Sequence, residues 1–320
     1  MSAVLTDGGM PQATPAASAP VMRKEAAWRR RDRRWGYFFV APQLVGMFLF
    51  VVVPFAASLV LAFSRWDGLS DLQWVGFSNF TSQFQDELLW RSILNTLIIA
   101  AITVPVGLGL AVMVAVALEK LKTRTLYLML FFAPVMTSTV AIAMIWQQMF
   151  RSDGVMSALI SKVFGIAPPA WLEDPKLALF AVCIVAIWSS LGLNVIIFLA
   201  GLQNISPSVI EAARIDGAGA WRLFWSIRLP LLSPIMFFSS VIAFISSLQT
   251  FDIVYVLVSG GGPDNATRTI VYHIYDLGFG RFEFGPSSAA SIILLILTLI
   301  ITAIQFGAQK KFVHYEDDPE

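Results

Sequence analysis

The sequence predicts an all-α membrane protein of six transmembrane helices, with both termini on the cytoplasmic side. Three observations lead there. Of 320 residues, 57% are hydrophobic and only 13% charged, about half the charge of a soluble domain. The apolar residues gather into six runs, roughly 37–63, 92–118, 126–150, 178–202, 229–258 and 287–308, each reaching the roughly 20 residues a bilayer demands. Finally, Lys and Arg are unevenly shared among the segments between the runs, and cytoplasmic connections keep the basic residues.

The runs are continuous rather than alternating, so they read as helices and not as barrel strands. Residues 1–34 begin rich in Ala, Pro and Ser, without the apolar core of a cleavable signal peptide, and are expected to form a disordered cytoplasmic tail. The basic run from Arg29 to Arg34 precedes a spanning-length stretch with five more behind it, which suits an anchor rather than a twin-arginine signal. Residues 35–312 form the membrane domain, and 313–320 an acidic cytoplasmic tail.

The tail, the connection holding Lys120, Lys122 and Arg124, the segment holding Arg214, Arg222 and Arg228, and the pair Lys310–Lys311 contain fifteen of the 22 basic residues. The alternate connections hold the remaining seven: Arg65, Arg91, Arg151, Lys162, Lys176, Arg268 and Arg281. None lies in mid-span. The larger group marks the cytoplasmic side, which leaves the longer connections, about 64–91, 151–177 and 259–286, outside.

Several function classes fall away. A net charge of +1 gives no reason for nucleic-acid binding, and a single cysteine, Cys183, allows no intrachain disulfide. The two histidines, His273 and His314, are far apart and suggest no metal site. No G-x-x-x-x-G-K-[ST] occurs, so the chain has no recognisable nucleotide site. The glycine run Gly260–Gly262 lacks the Lys-Ser/Thr that would hold phosphate and reads as a turn after the fifth run. A membrane-embedded enzyme would need a nucleophile, base or metal set at membrane depth, and no catalytic or metal-ligating residues are expected. A stand-alone ion-coupled transporter would need several buried ionisable groups, and Asp252 is the one acid within the apolar runs.

A carboxylate in a span costs about 3 kcal/mol unless it is paired or hydrated. Ser246, Gln249 and Asp252 recur every three residues, which places them on one broad face of a fifth helix. Ser190 and Asn194 lie four apart in the fourth run, and Thr137, Ser138 and Thr139 follow Pro134 in the third, where proline opens the backbone. One reading is a path lined by Asn194, Gln249 and Asp252, with Trp188, Phe251 and Tyr255 nearby. Amides and aromatic faces suit a sugar. The other is helix–helix hydrogen bonding with interfacial aromatics.

Between the fourth and fifth runs lies a polar island, 211–234. Ser206-Pro207 reads as a helix start, with the serine hydroxyl as cap and proline at the first position. The helix runs to about Asp216, Gly217 and Gly219 let the chain turn, and a second helical piece, Ala220 to Ile227, leads to Pro230. Ala212 and Ala213 make one side of the first helix small. Glu211 and Arg214 are spaced to pair, with little gain at a surface.

The pattern Glu211-Ala212-Ala213, then Asp216-Gly217-Ala218, then Phe224, Ile227, Pro230 and Pro234 resembles the EAA loop of bacterial ABC importer permeases. The segments Phe63–Asp67, Trp74–Phe80, Gly201–Ile205 and Phe251–Pro263 are similar to the carbohydrate group of that family, in the manner of maltose and glycerol-3-phosphate permeases. The resemblance covers about 37–312. It departs from the maltose-type subunit, which has eight spans and a large extracellular insert.

The resemblance implies a bacterial inner-membrane permease whose coupling helix, carrying Glu211, Ala212, Ala213, Asp216, Gly217 and Ala218, docks into an ATPase. It also implies two ATPase subunits binding ATP and Mg, a second permease forming a heterodimer, and an extracytoplasmic solute-binding protein. The chain itself would hold no cofactor and move a sugar or oligosaccharide by alternating access. Glycerol 3-phosphate or a glycerophosphodiester is the alternative cargo, although the spans offer no cation to a phosphate.

Overall fold

The computed structural model of the chain describes residues 21–165 and 167–312. Helices dominate them: α1 (Val21–Met47), α2 (Val53–Ala62), α3 (Ser78–Gln85), α4 (Glu87–Glu119), α5 (Arg124–Phe132), α6 (Thr139–Phe150), α7 (Val155–Phe164), α8 (Pro175–Gln203), α9 (Pro207–Ile215), α10 (Ala220–Leu223), α11 (Leu229–Leu248), α12 (Asp252–Leu257), α13 (Ile270–Tyr275) and α14 (Phe284–Phe312). The sheet among the described residues is one antiparallel hairpin, β1 (Ser64–Arg65) and β2 (Gln73–Trp74).

Among the described residues five helical runs are long and apolar enough to cross a membrane: Trp35–Ala62, Glu87–Glu119, Pro175–Gln203, Ala220–Leu248 and Phe284–Gln309. The third expected span is bent. Arg124–Met136 and Thr139–Phe164 meet at 101°, because Pro134 sits in a 3-10 turn and Thr137 is extended, with φ −100 and ψ 143. Proline removes a backbone donor there. The Thr137 hydroxyl donates to the Ala133 carbonyl at 3.0 Å.

The helix before the first span begins at Val21, so residues 21–34 are helical rather than part of a disordered tail. Residues 1–20 and the acidic tail 313–320, with His314, lie outside the described residues. The chain divides into two units after Ala57, inside the first span. Apart from Gln43, the first unit is apolar on every side through Phe38–Phe55, which suits a lipid-facing helix.

In the second unit α4 and α8 are the central pair, with α11 laid against both. The buried residues of α4 include Ile99, Ala100, Val104, Gly107, Leu108, Ala111, Val112 and Ala115, the three-and-four spacing of one helix face. Lipid is as apolar as leucine, so close packing of small residues must hold such helices together. Accordingly Ala111 and Ala115 of α4 and Ala178 and Ala181 of α8 are all fully buried. At Gly192 of α8 even a Cβ would overlap the Phe131 carbonyl of α5.

Capping matches the sequence chemistry. Asp86 accepts from the Leu88 amide at 2.8 Å and starts α4. Asp174 accepts from the Lys176 and Leu177 amides at the start of α8, where Pro175 opens the helix.

The Phe63–Phe80 segment is a folded knot. The Phe63 ring lies 5.7 Å from Trp74 and 5.2 Å from both Phe77 and Phe80. Asn79 donates to the Ala62 and Ser64 carbonyls, each at 2.9 Å. Asp67 accepts from the Leu69 and Ser70 amides and the Ser70 hydroxyl, and these bonds hold its carboxyl down to about 2.

Candidate translocation cavity and coupling loop

A cavity of about 410 Å3 opens between α4, α8 and α11. Thr103 and Gly107 of α4, Thr139 of α6, Ser189, Ser190 and Asn194 of α8, and Ser239, Ser246 and Ser247 of α11 line it. The segment from Gln249 to Ile253 closes one edge. Asn194, Gln249 and Asp252 therefore come together. Trp188 and Tyr255 do not line it: Trp188 meets Trp146 edge-on at 5.6 Å, and Tyr255 stacks on Phe251 at 5.2 Å.

The way they come together corrects the sequence. The fifth span is not one helix over 229–258, so Ser246, Gln249 and Asp252 do not share a helix face. α11 ends at Leu248, Gln249 is its C-cap, and α12 begins at Asp252. Two tertiary bonds accompany the break. The Thr269 hydroxyl donates to the Thr250 carbonyl at 2.9 Å, and the Ser247 and Thr103 hydroxyls lie 3.2 Å apart.

Hydroxyl protons here point back into the helices. Ser190 donates to the Ala186 carbonyl at 3.0 Å and Thr103 to the Ile99 carbonyl at 2.8 Å, while the Asn194 amide donates to the Ser190 carbonyl at 3.1 Å. Their oxygens remain as acceptors toward the cavity. Asp252 is the one charged side chain in the lining, and no Lys, Arg or His lines it.

The island folds as a helix–turn–helix. α9 ends in a Schellman motif: the Gly217 amide donates to the Arg214 carbonyl at 3.0 Å and the Ala218 amide to the Ala213 carbonyl at 2.9 Å. Gly217 has φ +80, which only glycine adopts without strain. Thus Asp216-Gly217-Ala218 is the helix stop. Gly219 has φ −67 and ψ 169, ordinary extended backbone.

Other local expectations are corrected. The Ser206 hydroxyl does not cap α9 but pairs with the Ser208 hydroxyl at 2.7 Å. No ion pair joins Glu211 and Arg214 among the described residues. Ala213 turns inward at 8% exposure, while Ala212 is exposed with Glu211, Asp216 and Gly217. The second helical piece is as expected: from Ala220 it continues through a π turn, Phe224–Arg228, into α11 as one run to Leu248.

Sequence reasoning missed three features. Ile215 and Trp221 are 86% and 77% exposed beside the turn, an apolar surface on the island itself. Arg228 points inward: its guanidinium meets the Glu119 carboxylate at 2.7 Å, with side-chain exposures of 7% and 18%. A spacing of 109 residues leaves no local signal for that pair. Third, His273 is fully buried between Arg268 Nη2 at 3.2 Å and Gln83 Oε1 at 3.0 Å. Arginine only donates, so Nδ1 accepts and Nε2–H donates to Gln83. Burial first, then the Arg268 charge, push this imidazole down to about 4. Among the described residues no group of His, Cys, Asp and Glu is arranged to hold a metal.

Comparison with known proteins agrees. Residues 104–313 match the family described as the binding-protein-dependent transport system inner membrane component. The chain is 36% identical over 306 residues to the probable ABC transporter permease protein YesP of Bacillus subtilis (strain 168), covering 94% of this chain and 98% of that one. It is 33% identical to the lactose transport system permease protein LacF of Rhizobium radiobacter, covering 86% and 94%. It is 35% identical to the sn-glycerol-3-phosphate transport system permease protein UgpA of Agrobacterium fabrum (strain C58 / ATCC 33970), covering 87% and 96%. A chain of a bacterial alginate ABC transporter, solved with a pentasaccharide-bound periplasmic protein, shares the fold at a TM-score of 0.79 and 22% identity, covering 89% and 97%. The apolar spans, the helix–turn–helix island and these matches have one explanation: the chain belongs to the family of multi-pass inner membrane components of binding-protein-dependent transport systems.

Proposed function

We propose that the chain is one permease of a heterodimeric ABC importer that moves a neutral sugar or oligosaccharide into the cytoplasm. The observation that carries the cargo is the cavity: hydroxyl and amide oxygens, an apolar floor and no cation. A polyol with apolar C–H faces fits such a lining. A phosphate would lack the positive partner that anions demand.

The energy enters from outside the chain. Two ATPase subunits bind ATP and Mg, and one of them docks on α9 through Glu211, Ala212, Asp216 and Gly217, with Ile215 and Trp221 as apolar anchors. Ala213 and Ala218 hold the motif's shape from inside. The basic bias of the tail, the 119–125 connection and the island supports a cytoplasmic position for both termini and this loop. A solute-binding protein delivers cargo to the other side. ATP and the loaded binding protein favour the same bundle state, and that shared preference is the coupling.

A second reading has a specific motive, since relatives named as sn-glycerol-3-phosphate permeases match over most of the chain. Uptake by proteoliposomes holding the whole transporter separates the two. Saturable, ATP-dependent uptake of a labelled neutral saccharide is expected. Uptake of glycerol 3-phosphate with no saccharide imported would overturn the sugar reading.

A further inference from the structure

The fifth span breaks at Gln249-Thr250-Phe251, where the chain has neither proline nor glycine. The backbone leaves helical geometry there, with φ −98 and ψ 12 at Gln249 and φ −132 and ψ −58 at Phe251. In an unbroken helix the Thr250 carbonyl would accept from the Val254 amide. Here the Thr269 hydroxyl donates to it instead, at 2.9 Å. A side chain that enters the hydrogen-bond ladder is one of the few causes of a sharp kink. α12 then starts afresh at Asp252, and the amides of a helix's first turn have no partner within it.

Thr269 is fully buried, and its hydroxyl acts in two directions. The proton goes to Thr250, while the oxygen accepts from the Tyr272 amide at 3.3 Å and caps α13. The backbone around it is fastened to α4. Asn95 donates to the Asn265 and Arg268 carbonyls at 3.0 and 3.1 Å, and the Ile270 amide donates to the Thr96 hydroxyl at 2.9 Å. Asp264 and Asn265 hold φ +51 and +57, a left-handed conformation uncommon outside glycine that persists where the surroundings over-determine it. Rings close the other side: Phe251 meets Tyr275 at 4.9 Å, and Tyr255 meets Tyr275 at 5.3 Å. Thr269 therefore stands on a fixed platform, in the connection read as extracellular, and reaches from it to the cavity edge.

The residues flanking Thr250 are cavity residues. Gln249 and Asp252 both line it, and rejoining α11 to α12 would rewind the backbone that carries them. Thr269 does not line the cavity itself. We propose that Thr269 is a positioning residue for transport: its hydroxyl holds the fifth span broken and, through Thr250, sets Gln249 and Asp252 at the cavity edge. The outer connection and the cavity edge then move as one piece, so a displacement of that connection reaches the cargo site without touching cargo. This rests on the reading of the cavity as the cargo site.

The test uses the assembled transporter with its binding protein in proteoliposomes, given a labelled neutral saccharide and, separately, labelled glycerol 3-phosphate. Thr269→Val removes the hydroxyl and keeps the shape. Uptake should fall about tenfold, the scale of one hydrogen bond to an otherwise orphaned carbonyl, while binding-protein-stimulated ATP hydrolysis changes less than about twofold. Deuterium exchange at the 250–254 amides should slow, because a rejoined helix gives them partners. A merely structural loss acts the other way, lowering uptake and hydrolysis together and speeding exchange. Thr269→Ser keeps both bonds and should restore uptake. Wild-type uptake by Thr269→Val, parallel loss of uptake and hydrolysis, faster exchange, or equal loss in Thr269→Ser would each overturn the proposal. Thr269→Ala stands in should the valine variant not assemble. Failure of both, with Thr269→Ser assembling, would also overturn it and leave the hydroxyl a folding device. Should wild type import glycerol 3-phosphate and no saccharide, the sugar reading falls and the same comparison is read on that cargo. Wild-type uptake by Asn194→Leu and Gln249→Leu would sink the cavity reading and this proposal with it. Impaired uptake in those two with normal uptake in Thr269→Val would sink the role of Thr269 alone.

Discussion

Arg228 shows how far a residue's role can lie from its place in the chain. By sequence it is one more cytoplasmic basic group on a polar island. In the fold it is 6% exposed and paired with Glu119 across α4 and the π turn. Breaking a buried pair from one side strands a charge, which costs about 3–5 kcal/mol. Arg228→Met should therefore lower the thermal midpoint in detergent sharply, whereas Glu119→Gln with Arg228→Met together should recover much of it. Equal losses in the single and double variants would refute the pairing. His273 sets a pH limit. Its unfolded imidazole binds a proton near 6.5, but the folded one resists until about 4, against the opposing pull of Asp86 and Asp276 and with further help from Arg281. The unfolded state thus binds more protons between these values, so stability is full above about 7 and falls as pH drops from 6.5 through 4. Thermal midpoints at pH 7.5 and 5 should differ more for wild type than for His273→Gln. A slope unchanged in that variant would exclude His273 as its source.

At the scale of elements, the island was the most legible part. Its Schellman stop is written in three adjacent residues, because Asp216-Gly217-Ala218 satisfies the helix end with local backbone alone. Local chemistry of that kind survives in sequence. Gly217→Pro cannot reach φ +80, and Glu211→Lys reverses an exposed charge on the face proposed to dock. Both are expected to lose ATPase association and binding-protein-stimulated ATP hydrolysis while the chain still inserts. Pull-down with the ATPase subunit measures the first and phosphate release the second. Unchanged values in both variants would remove the coupling role. The break after Leu248 was illegible for the opposite reason. The run Leu248 to Leu257 stays apolar enough to read as helix, and the bond at the break comes from Thr269, in the next connection.

At the scale of the whole molecule, the cavity decides the cargo argument, and it belongs to no single element. Asn194 comes from α8, Thr103 from α4, and Gln249 and Asp252 from the gap between α11 and α12. If neutral sugar passes here, Asn194→Leu and Gln249→Leu should each lower uptake about tenfold, the scale of one hydrogen bond to cargo removed. ATP hydrolysis without cargo should be preserved, since neither residue touches the island. Uptake by both variants at the wild-type rate would move the path elsewhere.

By itself the sequence determined the solvent. Runs of apolar residues and the partition of Lys and Arg record the bilayer directly, since a span must be about 20 residues long and basic loops stay inside. It also determined the island, whose turn is made by neighbours in the chain. Only the tertiary structure decided the 101° bend in the third span, the broken fifth span, the Glu119–Arg228 pair and the packing of Tyr275 against Phe251 and Tyr255. Each of these depends on how helices meet, and such meetings leave no period in a one-dimensional pattern.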